Sequence, residues 1–405
     1  MAQVILVVCD GLGDRPVKAL NNKTPLDAAR KPNLDYFAKN GITGLMHTIR
    51  RGVAPGSDTS HLAIFGYDPE KYYFGRGPFE ALGAGFELKE GDVAFRGNFA
   101  TIDSHKKIID RRAGRPENNE PFAKAITGMK IGGVTFFVLP GVSHRAAVVM
   151  RGKNLSSEVT DSDPHIEGVA SPVVKPLNKN KSAVFTSNVL NKFLEKSREI
   201  LSKLPENAQR IKEGKPPANC VLVRGAGMFK KIPSFFERYK LKAACIAGGS
   251  MYKGVARSLG MEIIDVVGAT GTAETNLSGK FKTALQLLST YDFVFVHVKA
   301  TDVFSHDGNY WGKMKFIEKI DSAISVLKNS GALLVVTGDH STSCELKEHT
   351  ADPLPIMISG PGVRIDDVKS FSEHSCASGA LGHIRGLDLM PELINLLGKT
   401  ELYGE

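Results

Sequence analysis

Six short apolar runs, rich in β-branched residues and mostly closed by Gly, Asp or Pro, constrain the fold more than any other feature of this chain. They are VILVVCD (4–10), VTFFVLP (134–140), CVLVRG (220–225), FVFVHV (293–298), ALLVVTGD (332–339) and PIMISG (355–360). Their apolar residues are continuous rather than alternating, the pattern of strands buried on both faces. Helical stretches separate several of them, at 25–40, 183–204 and 313–327. In the last, Phe316, Ile320, Ile324 and Leu327 recur at spacings of three and four, which gives one buried stripe. Strands alternating with helices in this way predict an α/β fold with a doubly wound, mostly parallel sheet.

The middle of the chain reads differently. From about residue 95 to 217 it is rich in Asn, Lys and Pro, with loop-like DSDPH (161–165), NKNK (178–181) and KEGKPPAN (212–219). Because buried-strand patterns flank it on both sides, it is expected to be an inserted, smaller α/β domain over 95–235. That insertion would interrupt a main domain of 1–94 and 236–405. A chain of 405 residues suits two or three domains.

Composition excludes several classes. Hydrophobic residues make up 42% and charged residues 23%, values of a globular rather than a disordered protein. No apolar run approaches the roughly 18 residues of a membrane span. The apolar stretch at the N-terminus stops at Asp10 and no basic segment precedes it, so it reads as a strand and not a signal peptide. Cys9, Cys220, Cys245, Cys344 and Cys376 are scattered without a CxxC pair, which points to a reducing cytoplasm. The net charge is +9, but no basic run interleaved with aromatics occurs. Pockets for small anions therefore account for the excess better than nucleic acid does.

Carboxylates end three of the runs: Asp10 after VILVVC, Asp302 just past FVFVHVKA, and Asp339 after LLVVTG. In open α/β sheets the ligand site lies at the carboxyl ends of strands. His306 stands four residues after Asp302, so one helical turn puts both on one face. His340 adjoins Asp339, and their side chains are expected to point to opposite sides of an extended strand end. His349 follows nine residues later. Three carboxylates and three imidazoles suit Mn²⁺, Zn²⁺ or Co²⁺, and six ligands fit two ions better than one tetrahedral site. Ser57, in APGSDTSH (54–61), follows a Pro-Gly turn and reads by itself as a helix-start signal. No GxSxG elbow, GxxxxGK[ST] or strand-borne GxGxxG is present, so a metal would have to activate its hydroxyl. GRGPFEALGAG (75–85) and GATGTAETN (268–276) read as turns at strand ends.

Over nearly its whole length the chain resembles the archaeal-type cofactor-independent phosphoglycerate mutases of the alkaline phosphatase superfamily. The resemblance is carried by DGLGDRP (10–16), TPLDAARKPNLD (24–35), APGSDTSHLAIFGYDP (54–69), GRGPFEALGAG, FRGNFAT (95–101), RRAGR (111–115), DSDPH and NCVLVRGAG (219–227). KGVAR (253–257), GATGTAETN, VHVKATDVFSHDG (296–308), TGDHST (337–342) and HTADPLP (349–355) extend it. It departs at Phe304, where the family commonly carries a less bulky stretch; that ring is expected to face the sheet.

The resemblance implies an alkaline-phosphatase-like sheet and interconversion of 3-phosphoglycerate and 2-phosphoglycerate in glycolysis and gluconeogenesis. It implies two divalent ions (Mn, Mg, Zn or Co) and no 2,3-bisphosphoglycerate. Ser57 matches the serine that carries the phosphoryl group, with Asp10, Asp339 and His340 around the ion that activates it. Asp302, His306 and His349 match the second ion. Arg96, Arg111, Arg112, Arg115, His144, Arg224 and Lys253 are the candidates for holding the two anionic groups of phosphoglycerate, to which arginine forks are suited. The insertion would close over the site and exclude water while glycerate turns. The expected partner is a small-molecule substrate, with neither nucleic acid nor membrane; a homo-oligomer is compatible with the sequence. The alternatives are a metal-dependent phosphomonoesterase or a phosphopentomutase of the same superfamily, because the metal core alone does not choose the substrate.

Overall fold

A computed structural model describes residues 3–402 and Gly404. The chain forms two compact units, one made of the segments up to Tyr73 and from Pro233 onward, the other of Phe74–Ile232.

In the first unit eight strands form one sheet. Their order is Glu262–Ile263, Ala243–Ile246, Phe293–Val298, Val4–Cys9, Leu333–Thr337, Leu354–Ser359, Gly41–His47 and Gly382–Arg385. Seven run in one direction, and Leu354–Ser359 opposes both of its neighbours. The reversal has a local cause. Between Thr337 and Leu354 there is only the short hairpin Ser341–Ser343 with Glu348–Thr350, and no helix to carry a parallel crossover.

Every residue of the three central strands, Phe293–Val298, Val4–Cys9 and Leu333–Thr337, is buried. Both sheet faces are covered. On one, Ile5, Val7 and Cys9 join a core with Phe281 of helix Leu277–Leu287 and with Phe316 and Ile320 of helix Tyr310–Ile324. On the other, Phe65, just past helix Ser57–Ile64, meets the rings of Phe293 and Phe295 at centroid distances of 6.4 and 5.0 Å. Each such side chain, fully buried, contributes roughly 1.5–3 kcal/mol. The stripe Phe316, Ile320, Ile324 and Leu327 is buried as the spacing predicts. Phe304 is partly buried against the same core as that stripe, with its ring 5.9 Å from that of Phe316 in the following helix.

The second unit is built on antiparallel pairing. Val93–Ile102 lies between Arg145–Arg151 and Cys220–Met228, and Val134–Pro140 pairs with Arg145–Arg151. The runs at 134–140 and 220–225 are therefore strands, but not of a parallel sheet. Burial alternates along Val134–Pro140, so that strand has one covered face. The cover comes from helix Lys181–Leu201, whose Phe193 stacks on Phe136 at 4.1 Å.

GRGPFEALG is a helix, Arg76–Gly83, rather than the turn its glycines predict. Phe79 and Leu82, three residues apart, are buried with Ala81, and that apolar face outweighs the glycines. Gly77 allows the helix to lie directly on a strand: a Cβ there would come within 2.1 Å of the Ala94 carbonyl oxygen. Since this helix packs on the second unit's sheet, the chain passes between units at Tyr73 and Phe74, earlier than the crossing at 94/95 read from composition. GATGTAETN is a turn segment, and its last residue, Asn276, caps helix Leu277–Leu287 by accepting from the Gly279 N–H. Among the described residues no helix is long and apolar enough to cross a membrane.

Candidate active site

The three central parallel strands deliver the three carboxylates to one sheet edge. Asp10 follows Val4–Cys9, Asp339 follows Leu333–Thr337, and Asp302 sits in the first turn of helix Ala300–His306, just past Phe293–Val298. All three are buried, Asp10 and Asp339 fully. Ser57 is the first residue of helix Ser57–Ile64, 7% exposed, and its Oγ lies 3.1 Å from His340 Nε2. The helix start read from Gly-Ser-Asp and the candidate nucleophile are thus the same residue. Unpaired N–H groups at a helix start favour an anion there.

Two sets of side chains have ligand atoms within 4.8 Å of one another: Asp10, Asp339 and His340, and Asp302, His340 and His349. His340 belongs to both. Its Nε2 is 3.2 Å from Asp339 Oδ2 and 3.5 Å from Asp10 Oδ1. Asp339 and His340 therefore do not diverge as an extended strand end would make them. Strand pairing stops at Thr337, and beyond it the alternation of faces no longer applies. His306 Nε2 and His349 Nε2 both face Asp302 Oδ1, at 3.3 and 3.6 Å. His349 arrives through the hairpin, where it pairs with Thr342.

Hydrogen-bond directions fix which imidazole nitrogens are free. His306 Nδ1 bonds the Lys347 carbonyl oxygen at 2.8 Å and His349 Nδ1 that of Pro55 at 2.9 Å. A carbonyl only accepts, so both δ nitrogens carry a proton, and in the neutral rings both ε lone pairs point at Asp302. His340 Nδ1 donates to the Thr342 hydroxyl (2.9 Å), which in turn donates to Asp302 Oδ1 (3.0 Å). Lone pairs aimed at carboxylates call for a cation between them. Asp339 Oδ2, buried without a hydrogen-bond partner, makes the same demand. The donor set thus fits divalent ions.

The proton affinities follow the same logic. Burial opposes charge on His340, but Asp339 and Asp10 outweigh it and raise its pKa. Burial would raise the pKa of Asp302, yet donation from His306 and His349 in their protonated forms, and Lys299 nearby, hold it far below the usual carboxylate range.

Asp10 has further partners that the sequence did not flag. Its Oδ2 accepts from the Tyr252 hydroxyl and lies 3.1 Å from His297 Nε2. Burial lowers the His297 pKa to about 4, so the ring is neutral and serves as a donor. His61 Nδ1 donates to the Ser57 carbonyl at 2.6 Å and fixes the nucleophile's backbone. Lys299 Nζ reaches both Asp10 Oδ1 (3.2 Å) and Asp302 Oδ2 (2.6 Å). His297 lies in strand Phe293–Val298 and Lys299 just past it, Tyr252 in helix Ser250–Ser258 and His61 in helix Ser57–Ile64; the contacts to Asp10 span more than 240 positions of the chain.

Of the basic candidates, six lie in the second unit. Burial and then the charges of Arg145, Arg112, Arg96 and Arg115 push His144 down to about 4, which places these side chains around one neutral imidazole. Arg96, its Nε buried and 3.8 Å from Glu80, is lowered to about 9, by burial first, and also feels Arg76, Arg224 and Arg145. Arg76 and Arg145 thus join the cluster without having been sequence candidates. Arg111 is largely taken up by protein: two of its nitrogens donate to Asp163 at 2.8 Å and a third to the His165 carbonyl. Arg224 Nε lies 3.6 Å from the same Asp163. The turn bearing Arg112 and Arg115 is tied by Asp110, which accepts from the Arg112 and Gly114 N–H groups. Lys253 is in the first unit, where it pairs with Asp265 at 2.6 Å.

Fold and site together define an α/β enzyme with a helix-start serine facing strand-end carboxylates and imidazoles. The family described as 2,3-bisphosphoglycerate-independent phosphoglycerate mutase matches residues 38–207. The chain is 48% identical to 2,3-bisphosphoglycerate-independent phosphoglycerate mutase 1 of Methanocaldococcus jannaschii, over 99% of this chain and 98% of that protein. It is also 48% identical to the corresponding mutase of Thermoplasma volcanium, again over 99% and 98%. Among solved structures it is similar to the cofactor-independent phosphoglycerate mutase of Thermoplasma acidophilum. There the TM-score is 0.73 and the identity 44%, over 98% of this chain and 100% of that one. A protein of Pyrococcus horikoshii superposes with TM-score 0.87 at 37% identity, over 100% and 99%. The chain belongs to the 2,3-bisphosphoglycerate-independent phosphoglycerate mutases. Enzymes of this family interconvert 3-phosphoglycerate and 2-phosphoglycerate, depend on metal ions and need no bisphosphate cofactor.

Proposed function

We propose that this mutase interconverts 3-phosphoglycerate and 2-phosphoglycerate by way of a phosphoserine on Ser57, beside two divalent ions. The observation that carries the reading is the placement of Ser57 Oγ 3.1 Å from Nε2 of His340, the residue shared by both candidate ligand sets. Asp10, Asp339 and His340 would hold one ion together with Ser57; Asp302, His306 and His349 would hold the other. Mn²⁺, Mg²⁺, Zn²⁺ or Co²⁺ bound there would acidify the serine hydroxyl and neutralise charge on the phosphoryl oxygens.

The chain's own groups do the rest. The Ser57 Oγ–P bond forms as the bond from phosphorus to the substrate's C3 oxygen breaks, and the serine proton ends on that oxygen. The His61 bond to the Ser57 carbonyl and the helix start hold Oγ for attack. Arg96, Arg112, Arg115 and Arg224, with Arg76 and Arg145, supply cationic forks for the carboxylate and phosphoryl groups. Glycerate then presents its C2 hydroxyl, which takes the phosphoryl group back. Burial of Ser57, Asp10, Asp339 and His340 limits water at the phosphoserine. Five buried, unpaired cysteines support a cytoplasmic setting.

The test couples the purified protein and 3-phosphoglycerate to enolase without 2,3-bisphosphoglycerate. The expected result is turnover that EDTA removes, Mn²⁺ restores and Ser57→Ala abolishes, together with loss of the acid-stable phosphate label on the protein. Release of inorganic phosphate in place of 2-phosphoglycerate would overturn the mutase step and leave a phosphatase.

A further inference from the structure

Lys299 makes contacts that the catalytic reading does not use. Its ammonium donates to Asp10 Oδ1 at 3.2 Å and to Asp302 Oδ2 at 2.6 Å, so it bridges one carboxylate from each candidate ligand set. Its side chain is 25% exposed, and its nitrogen lies 5.7 Å from the centre of the Tyr252 ring. The two carboxylates are not equivalent. On Asp302 the lysine takes Oδ2, leaving Oδ1 to His306, His349 and the Thr342 hydroxyl. On Asp10, Oδ2 is already engaged by Tyr252 and His297. Oδ1 is therefore the oxygen that Asp10 has left to offer an ion, and Lys299 is on it.

We propose that Lys299 is an internal cation that competes with the divalent ion of the Asp10 set while staying anchored to Asp302. The ion displaces the ammonium from Asp10 Oδ1 only. The tether to Asp302 Oδ2 keeps that ammonium between the two sets, where its charge faces a transferring phosphoryl group. Lys299 is thus a positioning residue: it lowers the affinity of one site and holds both carboxylates in place before loading. This rests on the two-ion reading of the site.

The experiment is titration calorimetry of Mn²⁺ into the chelator-stripped full chain, comparing the natural protein with Lys299→Met and Lys299→Arg. Loss of one nearby charge is expected to tighten one Mn²⁺ site in Lys299→Met by about tenfold. The second site should be little changed, and thermal stability of the stripped protein should fall. Lys299→Arg keeps the charge and should bind within about twofold of the natural chain. If Lys299→Met does not fold when stripped, Lys299→Gln is read in its place, with the same tightening expected. Unchanged or weaker binding in the neutral variant overturns the proposal, as does equal tightening in Lys299→Arg. Failure of the natural protein to bind Mn²⁺ at all would instead sink the two-ion reading, so the two failures are distinguishable.

Discussion

At the scale of single residues the site is organised by what lies behind its ligands. Thr342 is fully buried and works in two directions, accepting from His340 Nδ1 and donating to Asp302 Oδ1. It thereby fixes the tautomer of one candidate ligand and the rotamer of another in the other set. Replacing it with valine keeps the shape and removes both bonds. Supporting partners of this kind typically change metal affinity by 10–100-fold. Thr342→Val should therefore weaken Mn²⁺ binding by roughly that factor with little change in fold, and Thr342→Ser should retain it. A valine variant that binds as tightly as the natural chain would show that the relay does not orient the ligands. The sequence made five of the six ionisable groups legible because they follow a buried strand or share a helical turn, and His349 because it stands just before the run PIMISG. Thr342, Tyr252, His297 and Lys299 were not legible, because their roles rest on contacts with Asp10 and Asp302 that fold topology creates.

At the scale of elements, apolar continuity found strands but did not give their direction. Phe293–Val298 and Leu333–Thr337 flank Val4–Cys9 in parallel, as the alternation of strands and helices implies. Val134–Pro140 and Cys220–Met228 carry similar composition yet pair antiparallel, the first with Arg145–Arg151 across a short turn and the second with Val93–Ile102. Helix Arg76–Gly83 was hidden for another reason: its glycines read as turn formers when one of them is there for a close approach. Gly77 faces the backbone of Ala94, and a methyl group would meet the carbonyl oxygen at 2.1 Å, where only backbone movement gives relief. Gly77→Ala is thus expected to destabilise the second unit by roughly 2–4 kcal/mol, seen as a lower urea midpoint. Gly97→Ala is the control. In the same sheet its Cβ would meet nothing closer than 3.4 Å, so its cost should stay below about 1 kcal/mol. Equal effects from the two would mean that the helix can shift off the strand cheaply.

At the scale of the whole molecule, the two units divide the chemistry. Every candidate metal ligand belongs to the first, while the arginines around His144 belong to the second. The net charge of +9 hid this division, because it averages a carboxylate-rich sheet edge in the first unit with an arginine cluster in the second. Metal linkage should expose it. An ion that binds only the folded state, present at a hundred times its dissociation constant, adds about 2.7 kcal/mol of stability. For a unit of this size each kcal/mol moves the melting point by roughly 2–4 °C. Scanning calorimetry of the stripped chain should then show one transition that Mn²⁺ raises by roughly 5–10 °C and another that it leaves in place. Gly77→Ala identifies the second by lowering it alone. The complementary ligand acts in the opposite sense: 3-phosphoglycerate without metal should raise the second transition, because the clustered guanidinium groups repel one another until an anion binds them. If Mn²⁺ raised both transitions equally, the ligands would not be confined to one unit's stability, and the division of labour drawn from the contacts would be wrong.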